Sequence, residues 1–500
     1  MKAFPAANAF TSVYEAGRSQ VVWTELVADL YTPVSAALKL RPQSSYTALL
    51  ESVEGGAVRG RYSFIALKPD VVWKCSGDTA MISRTSSGVH SEFIQDSIPT
   101  LDSLRQLIAD SRIDLPETLP PMAAGVIGYM GYDTIRLVED IPDTNPDTLG
   151  IPDGMFMRPT VMVIFDNVRD TITIVTPVRP AKGVGAKQSY SAAKNLLTTI
   201  LDALNRPLDD RPIHTKITSP CPSPISNCTA TDYAKMVKKA KEYIFAGDIL
   251  QVVPSQRFRL SFREPSFSLY RSLRRLNPSP FLFFLNFDDF TIVGSSPEIL
   301  VRLRDGKVTI RPIAGTRPRG KSRIEDAALA EELLTDPKEL AEHLMLLDLG
   351  RNDVGRVSEV GTVMVTDEMA IEYYSHVMHI VSNVDGTISP DYDAMDALMA
   401  GFPAGTVSGA PKVRAMEIID ELENERRSFY AGAIGYIAAN GDMDTCIALR
   451  TALVKDGEII IQAGGGVVAD SDPEAEYQES CNKAQALINA AQQAAQYRHH

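Results

Sequence analysis

The 500-residue sequence has few of the features that mark secreted or membrane-spanning proteins. It contains only five cysteines, which are scattered along the chain, so we expect reduced thiols in a cytoplasmic protein rather than a disulfide framework. No C-x-x-C pair or Cys/His cluster indicates zinc. No apolar run approaches the length of a membrane span, and residues 1–17 lack the continuous apolar segment of a signal peptide.

Positive charge is also in deficit. The chain has 50 Lys and Arg against 63 Asp and Glu, which gives a net charge of −13. Because nucleic acid and anionic membranes both require concentrated positive charge, neither is expected as a partner. A local basic pocket would still suffice to bind a small anion.

The length favours one large interwoven domain or two to three domains. Residues 205–230 are rich in Pro, Ser and Thr, and we interpret them as a linker between an N-terminal region, 1–204, and a C-terminal region, 231–495. The class is α+β, with sheets built from distant segments and helices on their outer faces.

Periodicity and turn residues predict the individual elements. The predicted helices include 188–204 and 231–248, the latter capped by Thr229 or Thr231. A hairpin turn is predicted at 168–170. The predicted strands include 249–261, 281–287, 290–294, 298–304, 307–313 and the stretch 443–456.

Two pairs of glutamates carry the strongest chemical signal. Glu339 and Glu342 lie three apart in one predicted helix, and Glu476 and Glu479 lie three apart in another. Like charges at this spacing repel, and a shared divalent cation would relieve the repulsion. A single E-x-x-E is more often a solvated helix face. Two pairs in partly apolar helices, near glycine-rich turns, favour a magnesium site that holds an anionic substrate.

From about residue 230 onward, the chain resembles the chorismate-utilising enzyme family. The resemblance rests on long motifs in a fixed order: GDILQVVPSQRF (247–258), GSSPEILV (294–301), RPIAGTRPRG (311–320), ELAEHLMLLDLGRNDVGRV (339–357), SHVMHIVSNV (375–384), PAGTVSGAPKVRAMEII (403–419), CIALRTA (446–452) and AGGGVVADSDPEAEYQESCNKA (463–484). LLESVE and GRYSF extend it more weakly towards the N-terminus. The family implies antiparallel β-sheets packed in a sandwich with helices on the outside.

Three positions separate the reactions within this family, and one of them, the N-terminal LLES at 49–52, is typical of its tryptophan-regulated members. Members that add water carry a lysine where this chain has Gln251, and a neutral amide is a poor general base, so Gln251 favours ammonia as the nucleophile. Members that make aminodeoxychorismate typically carry a nucleophilic lysine where this chain has Ala314. The resemblance therefore implies conversion of chorismate and ammonia to anthranilate and pyruvate through aminodeoxyisochorismate, the first step of tryptophan biosynthesis.

Three alternatives stay open at this point. One is an aminodeoxychorismate-forming enzyme, and another is an enzyme that stops at aminodeoxyisochorismate. The third is a non-catalytic sensor of chorismate or tryptophan.

The resemblance also implies roles for individual residues. Glu298 would be the general acid that protonates the departing C4 hydroxyl, with His379 and Thr406 positioning the substrate; His379 on an apolar segment would otherwise be a core histidine. The expected substrate-binding residues are Gln251, Ala314, Gly315, Thr316, Tyr430, Arg450, Gly464, Gly465, Gly466 and Lys483. Of these, Arg450 would clamp the enolpyruvyl carboxylate. Lys483 would add positive charge or pair with Glu479.

The family uses Mg²⁺ as its cofactor. Glu342 and Glu479 would contact the ion directly or through water, and Glu339 and Glu476 would orient its waters.

A tryptophan-binding regulatory pocket is the last expectation that the resemblance carries. Its expected residues are Glu51, Ser52, Arg61, Asn277, Pro280, Phe281, Leu282, Gly435 and Tyr436, with Glu51 pairing with the amino group of tryptophan. No cysteine lies in a G-x-C-x-G elbow, so the chain would take free ammonia or ammonia from a separate glutamine amidotransferase subunit. The family implies a heterotetramer of two large and two small subunits.

Overall fold

A computed structural model describes residues 1–54, 58–86, 89–208, 223–374 and 377–497. Most of the predicted linker, 209–222, therefore lies outside the described residues. The α-helices of this part are α1 (Ala7–Glu15), α2 (Pro33–Leu40), α3 (Thr100–Asp110), α4 (Ala186–Asn205), α5 (Ala230–Ala246), α6 (Ser266–Leu276), α7 (Arg323–Thr335), α8 (Pro337–Gly355), α9 (Ala394–Gly401), α10 (Lys412–Leu422) and α11 (Pro473–Gln493).

The strands pair antiparallel throughout. They are β1 (Gln20–Val27), β2 (Tyr46–Glu54), β3 (Val58–Ser76), β4 (Thr79–Ser86), β5 (Val89–His90), β6 (Ile94–Gln95), β7 (Gly125–Met130), β8 (Gly154–Asp166), β9 (Thr171–Val178), β10 (Ile225–Ser226), β11 (Gln251–Val252), β12 (Ser255–Ser261), β13 (Phe281–Phe287), β14 (Thr291–Ser296), β15 (Ile299–Arg304), β16 (Lys307–Ile310), β17 (Ile313–Pro318), β18 (Met364–Tyr373), β19 (Val377–Thr387), β20 (Gly409–Ala410), β21 (Ala433–Ala438), β22 (Met443–Ile447), β23 (Thr451–Lys455) and β24 (Glu458–Gly464).

Two sheets share the long strands β3 and β8. The first sheet runs β1-β9-β8-β3-β2-β13-β14-β23-β24-β12-β10. The second runs β6-β4-β3-β8-β7-β21-β22-β15-β16-β19, with β17 and β18 also paired to β19. A register shift between Pro69 and Val71 separates the half of β3 that serves each sheet. Such an irregularity bends a strand, which lets it pass from one layer to the other.

The sheets pack as a sandwich with helices on the outside. The core between them takes side chains from β2, β7, β13 and β21, among them Phe283 and Ile434. A second core covers the outer face of the first sheet with α1, α2, α4, α6 and α11. A third covers the outer face of the second sheet with α3, α8, α9 and α10. The α+β sandwich expected from the sequence is thus confirmed.

Strands from both sides of the predicted linker neighbour one another in each sheet. In the first, β2 pairs with β13, which places Glu51 opposite Leu282. In the second, β7 pairs with β21, which places Gly128 opposite Gly435. The division into a regulatory and a catalytic region stays a prediction.

The local predictions succeed where a turn or a cap is explicit. The predicted hairpin is present, with Asp166 opposite Thr171, and Thr229 caps α5 by accepting the N–H of Asp232 at 3.2 Å. Two predicted strands are wrong as single elements. Residues 249–261 divide into β11 and β12, and 307–313 ends at Ile310 before β17 begins.

A third predicted strand, 443–456, breaks after Ile447, because Arg450 takes a φ of 47° that no strand accommodates. Among the described residues, no helix is long and apolar enough to cross a bilayer. The four cysteines in this part of the chain, Cys75, Cys228, Cys446 and Cys481, are free thiols.

Candidate functional site

The two glutamate helices begin with the same sequence device. Asp336 caps α8 by accepting the N–H groups of Lys338 and Glu339, and Asp472 caps α11 by accepting those of Glu474 and Ala475. A proline follows each aspartate at the first helical position, where its missing N–H costs nothing. The capped first turns favour negative charge, so the helix dipole stabilises the carboxylates of Glu339 and Glu476, which lie in those turns.

Two of the four glutamates are partly withdrawn from water. Glu342 accepts a hydrogen bond from Gln251 Nε2 at 3.3 Å, and its pKa is raised by burial and by the neighbouring charge of Glu339. Glu476 accepts from Ser471 Oγ at 2.7 Å through one oxygen, while its Oε2 is buried without a protein partner. Burial raises the pKa of Glu476 as well, with a further contribution from Glu479. The charge of Glu479 also raises the pKa of Glu342, so the two pairs lie around one region.

The other two glutamates already have cationic partners. Arg317 Nη1 donates to Glu339 Oε1 at 2.8 Å, and Lys483 lies 2.7 Å from Glu479 Oε1, as the alternative interpretation of Lys483 expected. Across the described ranges, no group of three or more His, Cys, Asp or Glu side chains is already gathered as a metal-ligand set. Repelling, half-buried carboxylates with an unpartnered oxygen nevertheless fit a divalent cation that completes its shell with water and substrate oxygens. The magnesium assignment stays a prediction.

Glycines bring backbone close to these carboxylates. A Cβ on Gly465 would lie 2.5 Å from Glu476 Oε2, and one on Gly466 would lie 2.5 Å from Gln251 Nε2. Gly464 is equally tight, since its Cβ would meet the carbonyl oxygen of Pro254 at 2.3 Å. At Gly464 the obstacle is backbone, so a side chain there would force the main chain to move, whereas at Gly465 and Gly466 it would displace the ends of Glu476 and Gln251.

Glu298 is the most perturbed acid of the site. It lies before β15, is 6% exposed, and accepts a hydrogen bond from Thr406 Oγ1 at 3.0 Å. Burial raises its pKa to about 8, against the lowering effects of Thr406 and Arg450. The carboxyl is therefore protonated at neutral pH, the state that a general acid requires.

His379 is held as a neutral imidazole. On β19 it lies opposite Thr316 of β17, and its Nδ1 is 3.1 Å from the carbonyl oxygen of Gly315 and 3.0 Å from Thr316 Oγ1. A carbonyl only accepts, so Nδ1 carries the proton and Nε2 keeps its lone pair. Burial lowers the pKa of His379 to about 4.

Strand β17 contains a bulge beside His379. Its register with β19 shifts between Ala314 and Thr316, and Gly315 takes a φ of +74°. A Cβ at Gly315 would lie 3.2 Å from Glu339 Oε2. Thr316, which is predicted to bind substrate, contacts His379 through its hydroxyl.

Arg450 and Tyr430 complete the set. Arg450 lies in the turn between β22 and β23, where its charge acts on both Glu298 and His379. Tyr430 is 3% exposed, lies under the guanidinium of Arg427, and has a pKa raised to about 12 by burial. Lys483 Nζ also donates to the carbonyl oxygen of Gly464 at 3.0 Å, which links α11 to the glycine run.

A separate cavity of about 880 Å³ collects most of the predicted regulatory residues. Eight of the nine line it: Glu51, Ser52, Arg61, Pro280, Phe281, Leu282, Gly435 and Tyr436. Asn277 is not among the lining residues; its carbonyl oxygen accepts a hydrogen bond from Ser295 Oγ.

The carboxylate of Glu51 already has protein partners. Arg274 donates to both of its oxygens at 2.6 and 2.9 Å, and Tyr270 Oη donates at 2.5 Å. A ligand ammonium would share this carboxylate with Arg274 rather than find it free.

Two residues that contact the predicted site residues, Arg317 and Tyr374, were not predicted from the sequence. Arg317 fixes Glu339, and Tyr374 packs its ring against His379 with centroids 5.4 Å apart. Arg317 is inside the RPIAGTRPRG motif and Tyr374 directly precedes SHVMHIVSNV, so proximity to motifs was the available signal.

Comparison with known proteins identifies the family of this chain. The family profile described as chorismate binding enzyme matches residues 65–489. The chain belongs to the chorismate binding enzyme family. Two curated relatives are each described as anthranilate synthase component 1. The protein of Cereibacter sphaeroides is 56% identical over 490 residues, covering 97% of each chain. That of Pseudomonas putida is 48% identical over 472 residues, covering 93% of this chain and 94% of the relative.

Solved structures agree on the fold. Anthranilate synthase component I from Streptococcus pneumoniae has a TM-score of 0.74 at 40% identity, covering 86% of this chain and 92% of that one. The menaquinone-specific isochorismate synthase of Escherichia coli has a TM-score of 0.69 at 19% identity, covering 97% of this chain and 99% of that one, which shows a shared fold. The family and fold predicted from the motifs are confirmed, and the resemblance extends over the N-terminal strands as well.

Proposed function

We propose that this chorismate binding enzyme is a lyase that converts chorismate and ammonia to anthranilate and pyruvate, as the first step of tryptophan biosynthesis. The names of its relatives support this directly. The observation that carries it is the burial of Glu298 beside Thr406, which raises the pKa of the carboxyl, in a site where Gln251 and Ala314 stand in place of lysines. Alanine offers no nucleophile for the aminodeoxychorismate route.

The first chemical step needs a proton on the leaving group. Glu298 donates its proton to the C4 hydroxyl as the C–O bond breaks, and water departs. Thr406 holds the carboxyl in place throughout, since its hydroxyl is bonded to Oε1. Nε2 of the neutral His379 accepts a hydrogen bond from the substrate near the same hydroxyl and orients it.

Ammonia enters beside Gln251. This side chain is 2% exposed, its amide nitrogen is committed to Glu342, and its Oε1 is buried without a protein partner. An amide oxygen accepts hydrogen bonds from ammonia but does not deprotonate water, so Gln251 favours amination at C2. Loss of the C2 proton and of the enolpyruvyl group as pyruvate then makes the ring aromatic.

Positive charge and backbone N–H groups anchor the two carboxylates of chorismate. Arg450 provides the planar guanidinium that pairs with the enolpyruvyl carboxylate. Gly464, Gly465 and Gly466 allow close approach of the backbone along the other side of the site, where Lys483 adds a further cation.

Magnesium is the cofactor that the four glutamates fit. Glu342 and Glu479 would hold it directly or through water, with Glu339 and Glu476 in support, and when bound it would supply charge compensation for the ring carboxylate. Without a cation, burial and the other glutamate of each pair destabilise the ionised forms of Glu342 and Glu476, which raises the pKa of both.

Regulation and nitrogen supply complete the proposal. The cavity around Glu51 and Phe281 binds tryptophan as a feedback inhibitor, sharing the Glu51 carboxylate with Arg274. A separate glutamine amidotransferase subunit supplies ammonia, in a heterotetramer of two large and two small subunits. The cytoplasmic location expected from the free cysteines remains part of this proposal.

One assay tests the proposal. The purified chain is mixed with chorismate, magnesium chloride and ammonium at alkaline pH, and anthranilate is followed by its fluorescence. We expect fluorescence that a chelator abolishes, that excess magnesium restores and that tryptophan suppresses. Consumption of chorismate without anthranilate would instead indicate a product that keeps its enolpyruvyl group. Untouched chorismate, even with an amidotransferase subunit added, would indicate a sensor.

A further inference from the structure

The catalytic histidine has a neighbour that the reaction as proposed does not use. The ring of Tyr374 meets the ring of His379 edge to face, at 5.4 Å between centroids and 67° between planes. Tyr374 is 9% exposed, and it acts electrostatically with both Glu298 and Arg450. Its ring therefore forms part of the wall of the catalytic centre.

The hydroxyl of Tyr374 is held from the other side by an ion pair. Tyr374 Oη donates to Glu372 Oε2 at 2.9 Å, and Arg311 Nη2 donates to Glu372 Oε1 at 2.5 Å. Glu372 is also the residue directly opposite His379 in the β18–β19 pairing. The three residues thus form a hydrogen-bonded chain that ends on the histidine ring.

The same three residues line the 880 Å³ cavity that contains Glu51 and Phe281. Arg311 and Glu372 have side chains that are 31% and 35% exposed, so a ligand in the cavity can reach both. The cavity and the catalytic centre therefore share Tyr374 as a wall, and the Arg311–Glu372 pair faces the cavity.

We propose that Tyr374 is a positioning residue for His379, and that Arg311 and Glu372 make its position depend on what occupies the cavity. The ligand class is an aromatic amino acid whose carboxylate or ammonium competes for Arg311 or Glu372. Displacing the Glu372 side chain, or the Arg311 side chain that holds it, frees the Tyr374 hydroxyl and loosens the packing of the Tyr374 ring against the imidazole. This inference rests on the proposed function, because it gives tryptophan inhibition a route to the histidine.

Two substitutions separate the ring from the hydroxyl. Tyr374→Leu removes the ring, and we expect kcat to fall about tenfold to a hundredfold while KM for chorismate stays within about threefold, because misplacing a catalytic group lowers turnover more than binding. Tyr374→Phe keeps the ring and should retain at least about a third of wild-type kcat. Tyr373→Phe is the matched control, since that neighbouring ring lies under Arg319 instead.

The coupling is tested by comparing tryptophan binding with tryptophan inhibition. In Tyr374→Phe, which keeps both Arg311 and Glu372, equilibrium dialysis with labelled tryptophan should give a Kd within about twofold of wild type. Glu372→Gln removes one of the groups for which the ligand competes, so this variant is compared with wild type at saturating tryptophan only. The fraction of activity that saturating tryptophan removes should nevertheless shrink, with coupling reduced about fivefold or more. Each kcat is normalised to the measured number of tryptophan sites, because a merely structural defect would lower that number and leave kcat per site unchanged.

The outcomes are decisive in each arm. A Tyr374→Leu variant with kcat per site within about twofold of wild type would overturn the positioning role. Unchanged inhibition in both Tyr374→Phe and Glu372→Gln would overturn the coupling. If Tyr374→Leu does not fold, the inhibition of Tyr374→Phe and Glu372→Gln by tryptophan still decides whether the cavity acts through Tyr374. A wild-type chain that makes no anthranilate refutes the proposed function and this inference with it, whereas active, wild-type-like variants refute the inference alone.

Discussion

Replacing Glu298 by glutamine tests the catalytic assignment most directly. The amide would keep the shape of the side chain and the hydrogen bond from Thr406 but has no acidic proton to give, so we expect E298Q to lower kcat by about 10²–10⁴-fold, the usual contribution of a general acid. The pKa of about 8 makes about nine-tenths of the wild-type enzyme competent at pH 7 and only about a tenth at pH 9.

The assay is the pH profile of kcat with the concentration of free ammonia held constant at every pH. Wild-type kcat should decline through about pH 8 as Glu298 loses its proton, and the residual activity of E298Q should lack that decline. E458Q, at a strand residue whose side chain is 45% exposed, is the matched control and should behave as wild type. A rate for E298Q within about tenfold of wild type, or an unchanged decline near pH 8, would refute the acid role.

The same pKa shift has a consequence for stability. The folded-state pKa of Glu298 is raised, so its contribution is fully present below pH 4.5 and is lost as pH rises to about 8. The loss is at most about 5 kcal/mol, at about 1.4 kcal/mol per pKa unit. Because glutamine does not titrate, the thermal unfolding midpoint of E298Q should rise relative to wild type between pH 5 and pH 8. An equal difference at both pH values would refute this reasoning.

Three further perturbations follow from the site. Thr406→Val removes a hydrogen bond that lowers the pKa of Glu298, so the decline of kcat should move to higher pH, and a decline at unchanged or lower pH contradicts this. Glu342→Gln should raise the magnesium concentration needed for half-maximal activity by about tenfold or more. It should also raise the thermal unfolding midpoint of the metal-free chain, because it removes a buried charge that Glu339 repels. Unchanged magnesium dependence would exclude Glu342 as a ligand. Gly466→Ala should lower activity with normal folding by circular dichroism, because its Cβ would meet Gln251 Nε2 at 2.5 Å and displace that side chain. Wild-type activity would refute the close packing.

Much of the site could be predicted because its residues lie in long motifs with one chemical role each. Glu298 next to Thr406, and Glu342 next to Gln251, are contacts between motifs that the sequence analysis identified separately. Both glutamate helices could also be located from the sequence, since an aspartate cap followed by proline is a local signal.

What could not be predicted depends on partners far away in the chain. The Glu51 carboxylate was expected to await a ligand, but Arg274 neutralises it across 223 residues of sequence. The break at Arg450 was missed because apolar periodicity continues through Ala448 and Leu449, while the backbone there turns for the site rather than for the sheet. Neither effect leaves a signal in the residues on either side.

The cavity around Glu51 and Phe281 is formed by long-range strand pairing. Glu51 comes from β2, Phe281 from β13 and Tyr436 from β21, and these strands belong to both sheets of the sandwich. The cavity therefore lies where the two layers face one another, and β3 and β8 connect those layers covalently. β17, β18 and β19 belong to the second of these sheets, so we expect a ligand that separates or clamps the layers to act on them. Because His379 sits on β19 between β17 and β18, a displacement of either partner strand would reach its imidazole.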